Sequence, residues 1–143
     1  MEIETKQMKV HLDDRGHLFE ALRNDDKLFD GVFGQVTVST LFPGVVKAWH
    51  RHHKQIDYTF CVEGNLKLLL AEENGKNFEI KEFYLGEKNP LLVKIPPGIW
   101  HGYTPIGNKK ATIIYVTNTT YDSKDEERKD WTAFGDVWKV KNK

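Results

Sequence analysis

The chain has 143 residues, enough for one domain with a sizeable core and too few for two. Its 21 lysines and arginines balance 21 aspartates and glutamates, so no overall field draws it to nucleic acid or an anionic membrane, and neither is expected as a partner. The opening MEIETKQMKV lacks the apolar run of a secretion signal, no stretch of about twenty apolar residues occurs, and the single Cys61 sits among strand-forming neighbours, so a reducing, cytoplasmic setting is expected.

Residues 8–12 alternate apolar and polar, and Asp13-Asp14-Arg15-Gly16 supplies a turn before residues 17–20, which together predict a hairpin near a sheet edge. Residues 24–34 carry acids and glycines around a few apolar side chains and read as a loop with at most one helical turn. Residues 35–41 alternate with period two and are rich in β-branched side chains, a strand closed by Pro43-Gly44. The stretch from 44 to 64 concentrates three of the six histidines beside Asp57. His50 and His52 stand two apart, so an extended strand points both to one face, and imidazole and carboxylate converge there.

Two further strands, 65–71 and 78–85, flank the hairpin signal Asn74-Gly75, and 91–95 and 111–117 add two more. Between these, Ile95-Pro96-Pro97-Gly98-Ile99-Trp100-His101 ends an apolar run in a turn and delivers His101 at the start of the next strand. Short strands with Gly, Pro and Asn turns, and no sustained helical period before residue 122, predict an all-β sandwich or barrel spanning 1–143 as one domain. Residues 122–130 are dominated by charge and read as a short solvated helix or loop, after which Trp131, Phe134 and Trp138 can dock the tail. His50, His52, Asp57 and His101 together would suit one divalent transition metal ion, while the bland alternatives are a polar pocket in which they only hydrogen-bond, or a strand in which His53 rather than His52 points inward. Trp49, Trp100 and Tyr103 flank these histidines and either stack on a ligand or fill the core.

Written as patterns, the two stretches are G-x5-H-x-H-x4-D-x6-G and P-x-G-x2-H. They resemble the paired motifs of the cupin superfamily, which implies a double-stranded β-helix, a jelly-roll barrel. The first motif usually has Glu at Asp57 and the second usually ends in Asn where this chain has Thr104. Blocks at 13–20, 35–50, 95–103 and 119–126 are further similar, in order, to the dTDP-4-dehydrorhamnose 3,5-epimerase and dTDP-sugar isomerase family. That resemblance implies a homodimer that binds a nucleotide-diphosphate sugar and needs no cofactor. It makes His50 the base that removes the proton next to the sugar ketone, and Tyr121 the acid that returns one from the other face. Arg15, Glu20, Gln35 and Lys47 would hold the nucleotide diphosphate, with His101 and Tyr103 also on the substrate. Asp57 stands where the family's enolate-stabilising lysine falls, and is kept among the catalytic candidates. The leading reading is therefore a sugar 3,5-epimerase or a 3,4-ketoisomerase, which shares the His-x-His feature. A metal-dependent cupin using His50, His52, Asp57 and His101, and a non-catalytic sugar-binding cupin, are the alternatives.

Overall fold

The alternating segments become strands, and every strand pairing among the described residues is antiparallel. The computed structural model describes residues 1–142 and contains no helix among them. One sheet orders β1 (Thr5–Gln7), β9 (Leu91–Ile95), β6 (Asp57–Glu63), β11 (Ala111–Thr117) and β4 (Gln35–Leu41). The other orders β12 (Glu126–Arg128), β5 (Lys47–His52), β10 (Trp100–Pro105), β7 (Asn65–Asn74) and β8 (Asn77–Gly86), and β2 (His11–Asp13) with β3 (Gly16–Leu18) forms a separate hairpin. From β4 onward nearly every connection crosses from one sheet to the other, the winding of a double-stranded β-helix. No helix of the described residues is long and apolar enough to cross a membrane.

Two local expectations change. Residues 122–130 form neither helix nor simple loop: Glu126–Arg128 is an edge strand on β5, a position where charged side chains are well placed. Glu127 pairs with Arg51 on β5, and Lys129 with Glu73 on β7, so the charges close on strands of the same sheet. The strand expected from residue 8 starts only at His11, while residues 24–34 are the loop expected, with turns and no helix. Met8 is instead buried with Leu28, Tyr58, Phe60 and Leu92, while the polar segment before it pairs with β9 through its backbone.

β7 shows how the sequence pattern sets the layers. Leu66, Leu68 and Leu70 face the barrel interior with Leu85, Val93 and Ile113, and the intervening Leu69 and Ala71 face an outer cluster. The unbroken apolar run therefore belongs to a strand covered on both sides. The outer cover is the tail, where Phe134 and Trp138 bury against Trp49 and Trp100 as expected; the Trp131 ring stays half exposed and offers its carbonyl to Trp49 Nε1 and Trp138 Nε1. Inside the barrel, β6 runs from Asp57 and Thr59 to Cys61, and β11 runs back from Ile113 to Tyr115 and Thr117. One end is thus apolar and the other polar. Burial pushes the Cys61 thiol up to about 11, so it behaves as a small core side chain.

Candidate active site

The polar end of the barrel encloses a cavity of about 250 Å³ lined from both sheets. β5 sends His50 and His52 into it by the two-residue period. The Pro96-Pro97-Gly98 turn uses the positive φ of Gly98 (86°), and its amide donates to the His52 carbonyl at 2.8 Å, so that His101 arrives directly opposite His50. On the other side of β5, Arg128 lies opposite His50 and Glu126 opposite His52. Residues directly opposite on antiparallel strands share a face. Arg128, His50 and His101 therefore form a row, with Glu126 and His52 beside it.

Glu126 is the hub of this arrangement. Its Oε1 lies 3.0 Å from His50 Nδ1, and its Oε2 accepts from the Tyr121 hydroxyl at 3.2 Å and from Arg128 Nη2 at 3.0 Å. Burial alone would raise the Glu126 carboxyl, but the Arg128 and His50 hydrogen bonds and charges outweigh it and keep it below the usual carboxylate range. An ionised carboxylate only accepts, so the proton on His50 sits on Nδ1 and the Nε2 lone pair is left for chemistry. Burial lowers His50 below the ordinary 6.5, and Glu126 offsets this only in part. The ring is therefore neutral at neutral pH, the state a proton acceptor requires.

The floor holds a second network. Asp57 is buried, and burial foremost raises its carboxyl; Gln55 Nε2 donates to its Oδ1 at 2.6 Å and lies 3.3 Å from His52 Nε2. His101 Nε2 faces Asp57 Oδ2 at 3.7 Å, while its Nδ1 points to the Ile99 carbonyl at 3.2 Å. Burial above all, and then His52, drives His101 down to about 3. Of the four metal-type residues named from sequence, His52, Asp57 and His101 bring donor atoms within 4.8 Å of one another, and His50 stands apart on Glu126.

Among the remaining sequence candidates, Gln35, Lys47, Tyr103 and Tyr121 all line the cavity. The Gln35 side-chain oxygen accepts from the Tyr121 amide at 2.8 Å and so ties that segment to β4. Tyr103 is buried, and burial first and Asp57 second raise its hydroxyl. Arg15 and Glu20 are not in the cavity of their own chain: Arg15, 87% exposed, pairs with Asp13 in the β2–β3 hairpin, and Glu20 pairs with Arg23. Trp49 and Trp100 belong to the outer core and not to the pocket.

The family model described as the polysaccharide biosynthesis C-terminal domain matches residues 11–129. The spore coat polysaccharide biosynthesis protein SpsL of Bacillus subtilis (strain 168) is 40% identical over 134 residues, covering 90% of this chain and 88% of that protein. The chain belongs to the polysaccharide biosynthesis C-terminal domain family. A second relative, the probable low-salt glycan biosynthesis epimerase Agl13 of Haloferax volcanii, is 35% identical over 133 residues, 89% of this chain and 85% of that one. In fold, this family member is similar to the crystal structure of a dTDP sugar isomerase from Desulfovibrio desulfuricans G20, with TM-score 0.85 at 24% identity over 92% of this chain and 85% of that chain.

Four residues of this member carry the site without having been assigned from sequence. Glu126 and Arg128 lie in a charged run that reads as solvated, and only their two-residue spacing hinted at a strand with one face inward. Gln55 lies in the polar break between β5 and β6. Asp125, whose Oδ2 accepts from the Lys54 and Gln55 amides at 3.2 and 3.0 Å, holds that break in place.

Proposed function

We propose that this protein is an epimerase or keto-isomerase of a nucleotide-diphosphate keto sugar, of the dTDP-4-keto-6-deoxyhexose type, that works by proton transfer next to the ketone. The observation that carries this reading is the His50–Glu126 pair at 3.0 Å opening on the cavity, with Tyr121 on the other carboxylate oxygen. His50 Nε2 takes the proton from the carbon, and Glu126 steadies the imidazolium that forms. Tyr121 is the acid for the return step. Lys47 and Arg128, the cations among the cavity-lining residues, supply positive charge for the diphosphate and the developing enolate. The family match and the relative named as a probable epimerase support the same class of chemistry.

Glu126→Gln tests the pair. Proton abstraction needs neutral His50, so activity rises with pH through its pKa, and in the wild type that limb lies below pH 6.5. Glu126 acts to raise His50, so losing its charge should move the limb to still lower pH, while the plateau rate falls about a hundredfold. A pH profile of kcat/KM reads both effects. An unchanged plateau, or a limb displaced upward, would remove Glu126 from the scheme.

The same reading makes the protein a homodimer. Arg15 and Glu20 can serve a pocket only if it is not their own, and the hairpin that bears Arg15 leaves Leu12 and Leu18 79% and 62% exposed, apolar surface that a second copy would cover. Sedimentation at micromolar concentration is expected to show the dimer. A monomer would exclude both residues from substrate binding.

A further inference from the structure

The pocket floor has the donors of a transition-metal site, yet an amide stands among them. His52, Asp57 and His101 are buried with donor atoms within 4.8 Å of one another, and two imidazoles with a carboxylate suit zinc, iron, nickel or cobalt. His101 is even turned as a metal ligand would be, its Nδ1 held by the Ile99 carbonyl and its Nε2 directed inward. Gln55 Nε2, however, lies 2.6 Å from Asp57 Oδ1 and 3.3 Å from His52 Nε2. Gln55 Nε2 donates to the Asp57 oxygen, and its second hydrogen reaches His52 Nε2 in the ring tautomer that carries its proton on Nδ1. Metal–ligand bonds of about 2.0–2.2 Å to the same two atoms leave no room for that group.

We propose that Gln55 closes a latent transition-metal site, its NH2 group taking the place between Asp57 and His52 that a cation would need. Two further contacts bear on the arrangement. The Gln55 backbone N–H donates to Asp125 Oδ2 at 3.0 Å, which fixes where its buried side chain starts. His50, the fourth ligand suggested by spacing, is engaged by Glu126. The barrel thus keeps the donor geometry of a metal centre while using hydrogen bonds to set the orientations of His52, Asp57 and His101.

This goes beyond the proton-transfer reading and stands apart from it, because His50, Glu126 and Tyr121 require no ion. Wild type, Gln55→Ala and Gln55→Glu are loaded with Co(II) or Zn(II), desalted, and measured by elemental analysis and by the visible absorption of bound cobalt. The wild type should retain far less than one ion per chain. Both variants should retain one, with affinity about a hundredfold tighter, the size of effect seen when the surroundings of ligands are altered. Gln55→Glu keeps the size of the side chain and adds a ligand, so it answers for Gln55→Ala should that variant melt at room temperature. Adding His101→Ala should abolish the gained ion. Wild-type protein that holds one ion as tightly as the variants, or variants that gain none, would overturn the proposal. Solvent-proton exchange by metal-free wild type is scored separately and judges only the catalytic reading.

Discussion

His50→Asn is expected to lose exchange of the substrate's α-hydrogen with solvent deuterium by about a thousandfold, within the range for removal of a general base. Asparagine keeps a donor near Glu126 but has no basic nitrogen to aim into the cavity. Binding of the nucleoside diphosphate should survive, because Lys47 and Arg128 are untouched. Tyr121→Phe should differ: its hydroxyl is hydrogen-bonded to Glu126 Oε2 and does not contact His50 in the resting arrangement, so exchange continues while the inverted or isomerised product falls away. NMR of substrate incubated in deuterium oxide reads both steps. Exchange at the wild-type rate in His50→Asn, on a sugar that the wild type turns over, would end the assignment of His50 as base.

Phe134→Ala should cost about 3–5 kcal/mol and lower the melting temperature by roughly 10 °C or more. The ring is buried, packs edge-on against Trp49 at 4.9 Å and Phe78 at 5.1 Å, and lies under Lys129 at 5.3 Å. Lys129 exchanges backbone hydrogen bonds with Trp49 immediately after β12. The tail therefore clamps the strand that presents Glu126 and Arg128, and stability and catalysis share this support. In the variant, activity should disappear at a lower temperature than in the wild type, with Phe134→Leu intermediate in thermal melting. A change below one degree would mean that the tail does not hold the sheet.

How far such contacts were legible depends on whether chain spacing alone decides them. The period of two in residues 35–41 fixes their strand character, because alternation needs only the local pleat, while 91–95 and 111–117 read as strands from their short apolar, β-branched runs. The same rule puts His50 and His52 on one face, and the Pro-Pro-Gly turn before His101 announces a strand start, so the histidines of the pocket were visible as a group. β7 was visible as a strand too, although its run from Leu68 to Ala71 did not say that both faces are covered. That depends on Trp49, Phe134 and Trp138 arriving from elsewhere.

By itself, then, the sequence determined most of the strands, the turns between them and the inward histidines, but not β1 or β12. Tertiary structure alone decided which partner each histidine took. Glu126 stands 76 positions from His50, and only the edge pairing of β12 on β5 brings its carboxylate to Nδ1. Gln55 likewise becomes the neighbour of Asp57 and His52 through a loop held by Asp125. Charge patterns within a segment cannot report such contacts, because a charged strand and a solvated loop have the same composition until another strand offers it a register.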